Sequence, residues 1–163
     1  MRTFILLFGA LLVLGSATLS VGQEVKKDGV EAAGGATQEA LEAEFIKTMT
    51  NATMSGRWSG ILEGELTPEK TDSYEIISVA KVNGDNWLIN ARIRYGKLDL
   101  VAPIPLQVKW AGDTAVICVT DMPIPGSGTY SARVLIYKGT YAGTWSGGGH
   151  GGLMSGLIAP TKK

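Results

Sequence analysis

The sequence has very little cysteine and histidine. Its 163 residues contain one of each, Cys118 and His150. A single cysteine excludes a disulfide within the chain. One cysteine and one histidine are also too few for a zinc site, which takes three or four protein ligands. The folded chain must therefore be stabilised by a packed core, and the sequence predicts neither a metal site nor a cofactor.

An excess of charge of one sign is also missing. The 15 Lys and Arg residues balance 15 Asp and Glu residues, so nothing predicts attraction to nucleic acid or to an acidic membrane. Arg92, Arg94 and Lys109 alternate with apolar residues and are candidates for an outward basic patch. Such patches are usually solvated faces, so no nucleic-acid partner is predicted.

Long hydrophobic runs occur only at the N-terminus. Arg2 precedes an almost unbroken apolar stretch over residues 3–14, which is short for a bilayer span, and small residues precede Gln23. This pattern is typical of a signal peptide over residues 1–22. It predicts a secreted or periplasmic protein with no membrane span after cleavage; a retained anchor or a buried helix is the alternative. Residues 23–36 mix charge, Gly and Ala, which predicts a flexible linker.

The next segment, residues 37–51, has the pattern of one short helix. Thr37 is a suitable N-cap, and Leu41, Phe45 and Met49 share one helical face. The apolar face indicates that the helix covers one end of the domain. A lid over a ligand site and a plug over the core both fit this pattern.

From residue 54 to residue 159 the apolar period changes to two. Trp87, Ile89 and Ala91 alternate with polar residues, and Val82-Asn83-Gly84-Asp85 carries a tight-hairpin signal. About eight such segments follow one another with hairpin-length connections. They predict an all-β fold, an antiparallel up-and-down β-barrel. Pro103 and Pro105 mark an edge, a bulge or a loop crossing.

Aromatic residues are the most usable functional signal. Trp87, Tyr95, Trp110 and Tyr130 recur along the strands. In a small barrel such rings either fill the interior or line a cavity for one apolar ligand. These four are the predicted ligand-binding residues, with the loops 121–128 and 147–152 beside them.

A repeated tripeptide indicates how the barrel closes. Trp58 and Trp145 each stand in a Gly-x-Trp-Ser-Gly sequence near opposite ends of the strand-rich region. A closed meander places its first strand beside its last strand or the one before it. Trp58 and Trp145 are therefore predicted to be structural residues at the closure, with rings that are neighbours across the seam.

Signals for catalysis are weak, and no catalytic residue is predicted. The run Gly147–Gly152 formally fits a dinucleotide-binding pattern, but the sequence after it is too short for the helix, strand and acidic residue that this fold requires. A hydrolytic triad would need His150 together with a serine and a carboxylate, and neither Ser146 nor Ser155 stands in the strand-to-helix Gly-x-Ser-x-Gly motif of such a nucleophile. Glu63 and Glu65 share one strand face and are read as solvated carboxylates.

The short helix followed by Gly56-Arg57-Trp58 on the first strand resembles the lipocalins and the broader calycin barrels. The resemblance implies that Trp58 packs at the closed end of the barrel. The lipocalin disulfide is absent, no arginine follows the last strand to stack on Trp58, and the Thr71-Asp72-Ser73-Tyr74 sequence comes too early to match the family's Thr-Asp-Tyr motif.

Three functions remain open. The first is a secreted binding module for a small apolar or amphipathic ligand, and the second is a structural or envelope-associated protein with a filled barrel. The third is an enzyme, a hydrolase or isomerase on a lipocalin-like barrel, which would need His150 or a close carboxylate pair inside a cavity.

Overall fold

The computed structural model describes residues 36–95, 98–124 and 128–162, with backbone alone for 93–95 and 98. The predicted signal peptide and all but the last residue of the predicted linker lie outside the described residues. The first described element is a helix, α1, at Gln38–Met49. The strands are β1 Ala52–Leu62, β2 Glu65–Leu66, β3 Lys70–Asn83, β4 Asn86–Tyr95, β5 Leu98–Ala111, β6 Thr114–Ile124, β7 Gly128–Tyr137, β8 Thr140–Gly147 and β9 His150–Pro160.

Eight of these strands form a closed antiparallel barrel. Strands β1 and β3 to β9 pair in chain order, and β9 pairs back with β1 to complete the ring. The two-residue β2 only extends the end of β1. The predicted up-and-down barrel is confirmed, and so is its closure through the first and last strands. The seam runs from the pair Ala52 and Pro160 to the pair Ile61 and Gly151.

Helix α1 begins and packs as its sequence predicts. The Ala40 N–H donates to Thr37 Oγ1 at 3.2 Å, which is the N-cap bond. Phe45 and Met49 are buried in the core. Phe45 contacts the Trp87 ring edge-on with 5.4 Å between ring centroids. The helix thus covers the barrel end where β4 begins, which we call the helix end; we call the other end the groove end.

The core occupies the interior near the helix end. Met49 and Val108 are fully buried, and Trp87 is 2% exposed. Strand alternation sends these apolar side chains inward and their polar neighbours outward. Cys118 is half-buried and faces away from buried Ala115 and Ile117, as alternation predicts. Among the described residues no helix is long and apolar enough to cross a membrane.

Strand β5 is continuous through Pro103 and Pro105, but its pairing is one-sided there. Its ladder with β4 covers residues 98–107, which include both prolines, whereas its ladder with β6 covers only residues 107–111. The Val108 N–H donates to the Asp85 carbonyl beside β4, so the odd-numbered N–H groups of β5 point toward β6. Both prolines are odd-numbered and have no N–H. The predicted irregularity is therefore an edge, where the β5–β6 ladder ends.

Candidate functional site

Glycines and rings alternate on the inner face of β1, β8 and β9. Tyr141 pairs with Gly156, Gly156 with Gly56, and Gly56 with Asp72. A Cβ on Gly56 would lie 2.6 Å from the Tyr141 hydroxyl oxygen, and one on Gly156 would lie 2.7 Å from Tyr141 Cε1. The phenol of Tyr141 therefore lies across two strands in the space that the glycines leave. The position of the Tyr141 ring in the interior therefore depends on the absence of side chains at Gly56 and Gly156.

Three aromatic rings meet at the groove end. Trp58 contacts Trp145 edge-on with 5.6 Å between ring centroids. Tyr130 stacks on Trp145 at 5.9 Å with an angle of 13° between the ring planes. Gly147 makes room for the Tyr130 ring, since a Cβ there would lie 2.5 Å from it. All three rings are half-buried, so each keeps surface that a ligand can cover.

These rings line an open groove with a volume of about 310 Å³. We call it the aromatic groove. Its wall comes from the end of β1, the segment before β3 and the β8–β9 turn, and consists of Trp58, Gly60, Ile61, Leu62, Thr67, Lys70, Tyr130, Trp145, Gly147, His150 and Gly151. Apolar walls with a few convergent polar groups are typical of small-molecule sites.

The described residues of the aromatic groove include few polar groups, and none of these carries a negative charge. Lys70 Nζ lies over the Trp58 ring, 5.0 Å from its centroid. The Thr67 hydroxyl accepts the Gly60 N–H at 2.9 Å, which fixes the segment before β3 against β1. His150 lies at the rim, where β9 begins, and is exposed. The groove therefore offers a ligand flat apolar surface and one ammonium group.

A polar cluster lies one step deeper in the barrel than Lys70. Asp72 follows Lys70 by two residues, so both side chains lie on the same face of β3. Its carboxylate accepts the Tyr74 hydroxyl at 2.8 Å and the Tyr141 hydroxyl at 3.3 Å. Burial, followed by the hydrogen bond to Asp72, raises the pKa of Tyr74 far above its usual value. Burial and the charge of Asp72 raise the pKa of Tyr141 in the same direction.

A second groove of about 310 Å³ lies beside the seam. It is lined by residues of β1, β8 and β9, and by Leu66 and Glu69. Arg57 and Glu69 form an ion pair across it, with Nη1 and Oε2 2.8 Å apart. Because Arg57 and Glu69 neutralise each other, the second groove presents a ligand with fewer unpaired charged groups than the aromatic groove does.

The structure places three of the four predicted ligand-binding side chains and divides these three between the two ends of the barrel. Trp87 and Trp110 lie at the helix end, where both rings contact Phe45. Tyr130 lies in the aromatic groove. Tyr95 belongs to β4, but its side chain is outside the described residues. Trp87 and Trp110 therefore do not share a site with Tyr130, because α1 covers the end of the barrel that holds these two tryptophans.

The structure brings together the two tryptophans that were predicted at the barrel closure. Trp58 and Trp145 contact each other, and β9 runs between their strands. They also line the aromatic groove, a position that the sequence did not assign to them. The signal that predicted their contact was the position of the two Gly-x-Trp-Ser-Gly sequences near opposite ends of the strand-rich region. Lys70 and Thr67 had no comparable signal, since both lie where a turn passes into β3.

Other sequence-level candidates are placed apart from the groove or are already paired. Arg92 forms a two-point ion pair with Asp99 at 2.5 and 2.7 Å, and Lys109 pairs with Asp85. The expected basic patch is thereby neutralised at these two positions; the side chain of Arg94 is not described. Across residues 36–95, 98–124 and 128–162, no group of three His, Cys, Asp or Glu residues could hold a metal ion.

The position of Trp58 departs from the lipocalin pattern. The resemblance implies that Trp58 packs at the closed end of the barrel, and in this structure the end closed by a helix is the helix end. Strand β1 begins at Ala52, however, and Ala52 and Met54 are the β1 residues buried toward α1. Trp58 lies further along, at the groove end, because six residues of β1 precede it.

The fold and the groove define the class: a closed, eight-stranded, up-and-down antiparallel β-barrel with a helix over one end and an aromatic groove at the other. No family model, curated protein or solved structure matches the chain. The function must therefore be argued from the groove itself.

Proposed function

We propose that this chain is a secreted binding module of the calycin type, which holds a small amphipathic ligand in the aromatic groove. The observation that carries the proposal is the cluster of Trp58, Trp145 and Tyr130, three half-buried rings around one groove. Export is supported by the sequence of residues 1–22. The calycin comparison is supported by the closed barrel and weakened by the position of Trp58.

The filled state of the helix end restricts where a ligand can bind. Phe45, Trp87 and Val108 are buried there, with exposures of 4%, 2% and 0%. A ligand deep beneath the helix would have to displace this packing, and each large side chain so displaced costs several kcal/mol. The groove end needs no such displacement, so we place the ligand there.

The open form of the groove indicates weak binding of a simple probe. Buried apolar area does not convert directly into affinity, because part of the gain offsets the lost freedom of the ligand. Natural ligands with additional polar contacts would bind more tightly. A simple aromatic probe should therefore be tested at concentrations up to several millimolar.

The four tryptophans provide a test with an internal control. Two lie in the aromatic groove and two at the helix end, so ¹⁵N-labelled protein should give separate indole N–H signals for each pair. We expect titration with naphthalene-2-methanol to shift the signals of Trp58 and Trp145 and to leave those of Trp87 and Trp110 in place. Trp-to-Phe variants assign the four signals.

The alternative outcome favours the filled-barrel function. If no indole signal moved at several millimolar probe, the aromatic groove would not be a ligand site. The buried core of the helix end would then support a structural or envelope-associated role. If the signals of Trp87 and Trp110 moved instead, the ligand would enter under α1, and the placement proposed here would be wrong.

A further inference from the structure

Among the described residues, Lys70 is a cation without an ionic partner at the edge of the aromatic groove. Lys47, Lys81, Lys109, Arg57 and Arg92 each pair with a carboxylate. Within the described part of the chain, Lys70 forms no such pair, and its ammonium group lies over the face of Trp58 at 5.0 Å. An ammonium group held on an aromatic face keeps its other N–H directions for water or for a ligand.

The nearest carboxylate on the same strand face is already occupied. Asp72 accepts hydrogen bonds from Tyr74 and Tyr141 at 2.8 and 3.3 Å. Both hydroxyls are held protonated, since their pKa values are raised well above the usual range. The two phenols thus stabilise the Asp72 charge inside the barrel and leave Lys70 as the charged group that lines the groove.

The lining of the aromatic groove is selective in charge. Among the residues that the structure describes, this lining contains Lys70 and His150 and no Asp or Glu. A cationic ligand would meet Lys70 without a compensating carboxylate in the wall, whereas an anion would gain a charge-assisted hydrogen bond. The flat ring surfaces favour a planar apolar body beside that anion.

We propose that the aromatic groove selects a small aromatic carboxylate, whose ring lies on Trp58, Trp145 and Tyr130 and whose carboxylate binds the Lys70 ammonium group. This inference rests on the proposed function and adds the chemical class of its ligand. Lys70 is the residue that determines specificity, and the rings supply the apolar contact.

The test compares two probes of the same shape. Naphthalene-2-carboxylate and naphthalene-2-methanol share the ring system and differ in charge. We expect wild-type protein to bind the carboxylate about fivefold to tenfold more tightly, as judged from the indole shifts of Trp58 and Trp145, and to lose most of this preference in 0.5 M NaCl.

Three variants isolate the contribution of Lys70. Lys70→Met should bind both probes equally, while Lys70→Arg should keep the preference for the carboxylate. Lys47→Met, which removes an exposed lysine on α1, is the matched control and should behave like wild type. The circular dichroism spectrum of each variant shows whether the barrel has folded, and Lys70→Arg keeps the test valid if Lys70→Met does not fold.

The outcomes separate the two proposals. Equal affinity of wild type for both probes would overturn the carboxylate inference and leave the binding function standing. A preference that persisted in Lys70→Met would also overturn it, since the anion would then be bound elsewhere. Failure of both probes to shift Trp58 and Trp145 would overturn the inference together with the proposed function.

Discussion

Inward-facing glycines decide where the large rings of this barrel can lie. Gly56, Gly156, Gly147 and Gly152 each stand where an added Cβ would come within 3 Å of an atom of a tyrosine or tryptophan side chain. A strand residue normally sends a side chain into the core. Here the absence of that side chain lets a ring from a neighbouring strand lie flat over the backbone.

This complementarity predicts a large cost for one added methyl group. Gly156→Ala would place a Cβ 2.3 Å from the Ser55 carbonyl oxygen and 2.7 Å from Tyr141 Cε1. We expect the free energy of unfolding, measured with urea, to fall by about 1–3 kcal/mol. Gly60→Ala is the matched control on the same inner wall, because the nearest contact there is 3.3 Å to a Thr67 side-chain atom. An equal loss in both variants would contradict this explanation.

Because of the cluster of Asp72 with Tyr74 and Tyr141, we expect the free energy of unfolding to decrease as the pH rises into the alkaline range. The pKa of Tyr74 is raised in the folded chain, mainly by burial. Above about pH 10 an unfolded tyrosine loses its proton while the folded one keeps it, so the unfolded state binds fewer protons and stability falls as pH rises.

The predicted effect is a difference between wild type and Tyr74→Phe. At pH 8 we expect the variant to be less stable by about 1–2 kcal/mol, since Asp72 loses a hydrogen bond. Above pH 10 the wild type should lose at most about 1.4 kcal/mol per pH unit more than the variant, so the gap should narrow. Urea unfolding between pH 8 and pH 11 measures it. A gap that widened with pH would show that Tyr74 ionises readily in the folded state.

Among the elements, α1 functions as part of the core. Phe45 contacts both Trp87 and Trp110, and Met49 is fully buried. The helix also contributes an ion pair between half-buried Glu42 and exposed Lys81 at 2.7 Å. Ion pairs that remain in contact with water contribute little, so the helix is held mainly by its apolar face.

Removing the Phe45 ring should therefore loosen the helix end alone. We expect Phe45→Ala to lower the free energy of unfolding by about 3–5 kcal/mol and to shift the indole N–H signals of Trp87 and Trp110. The signals of Trp58 and Trp145 should stay in place, because they belong to the groove end. Phe45→Leu, which keeps most of the apolar volume, should cost less. Similar shifts of all four signals would mean that the two ends are not independent.

Most of the elements could be predicted from local pattern, and the exceptions have physical causes. Alternation and the Asn83-Gly84 turn were sufficient for β3 and β4, since both depend on neighbours in sequence. Strand β5 seemed to be interrupted because prolines disfavour strands. Only the pairing shows that the positions where Pro103 and Pro105 lack an N–H face β6. The ladder with β4 is therefore intact at both prolines.

The site was harder to predict because it depends on distant pairing. Trp58 and Trp145 were expected to be neighbours, and the seam made that inference possible. Trp87 was indistinguishable from a groove residue in the sequence, since alternation gives the inward face and not the end of the barrel. Lys70 was missed because its contact with Trp58 requires the exact register of β1 and β3.

For the molecule as a whole, the β1–β9 seam is what turns a sheet into a ring. It joins residues about a hundred positions apart in sequence, such as Ala52 and Pro160. The Thr161 N–H also donates to the Asn51 carbonyl at 2.8 Å, which continues the pairing past the end of β9. A closed ring leaves these two strands without a free edge.

Hydrogen exchange measures this closure. We expect the amides of β1 between Met54 and Trp58 to exchange as slowly as those of β7 between Ala132 and Ile136, within about tenfold, because both segments are paired on two sides in one cooperative unit. The exposed hairpin turn at Glu63–Gly64 serves as the fast-exchanging reference. Exchange of the β1 amides at the rate of that turn would indicate that the ring opens readily at the seam.

The two prolines of β5 affect whether strands of two molecules can pair edge to edge. Where the β5–β6 ladder ends, a strand from a second molecule would find carbonyl acceptors at Pro103 and Pro105 but no N–H donors opposite its own carbonyls. Growth of a continuous sheet from one barrel to the next is blocked at that point. The two prolines thus make this edge of β5 chemically unsuited to pairing with a strand from a second barrel.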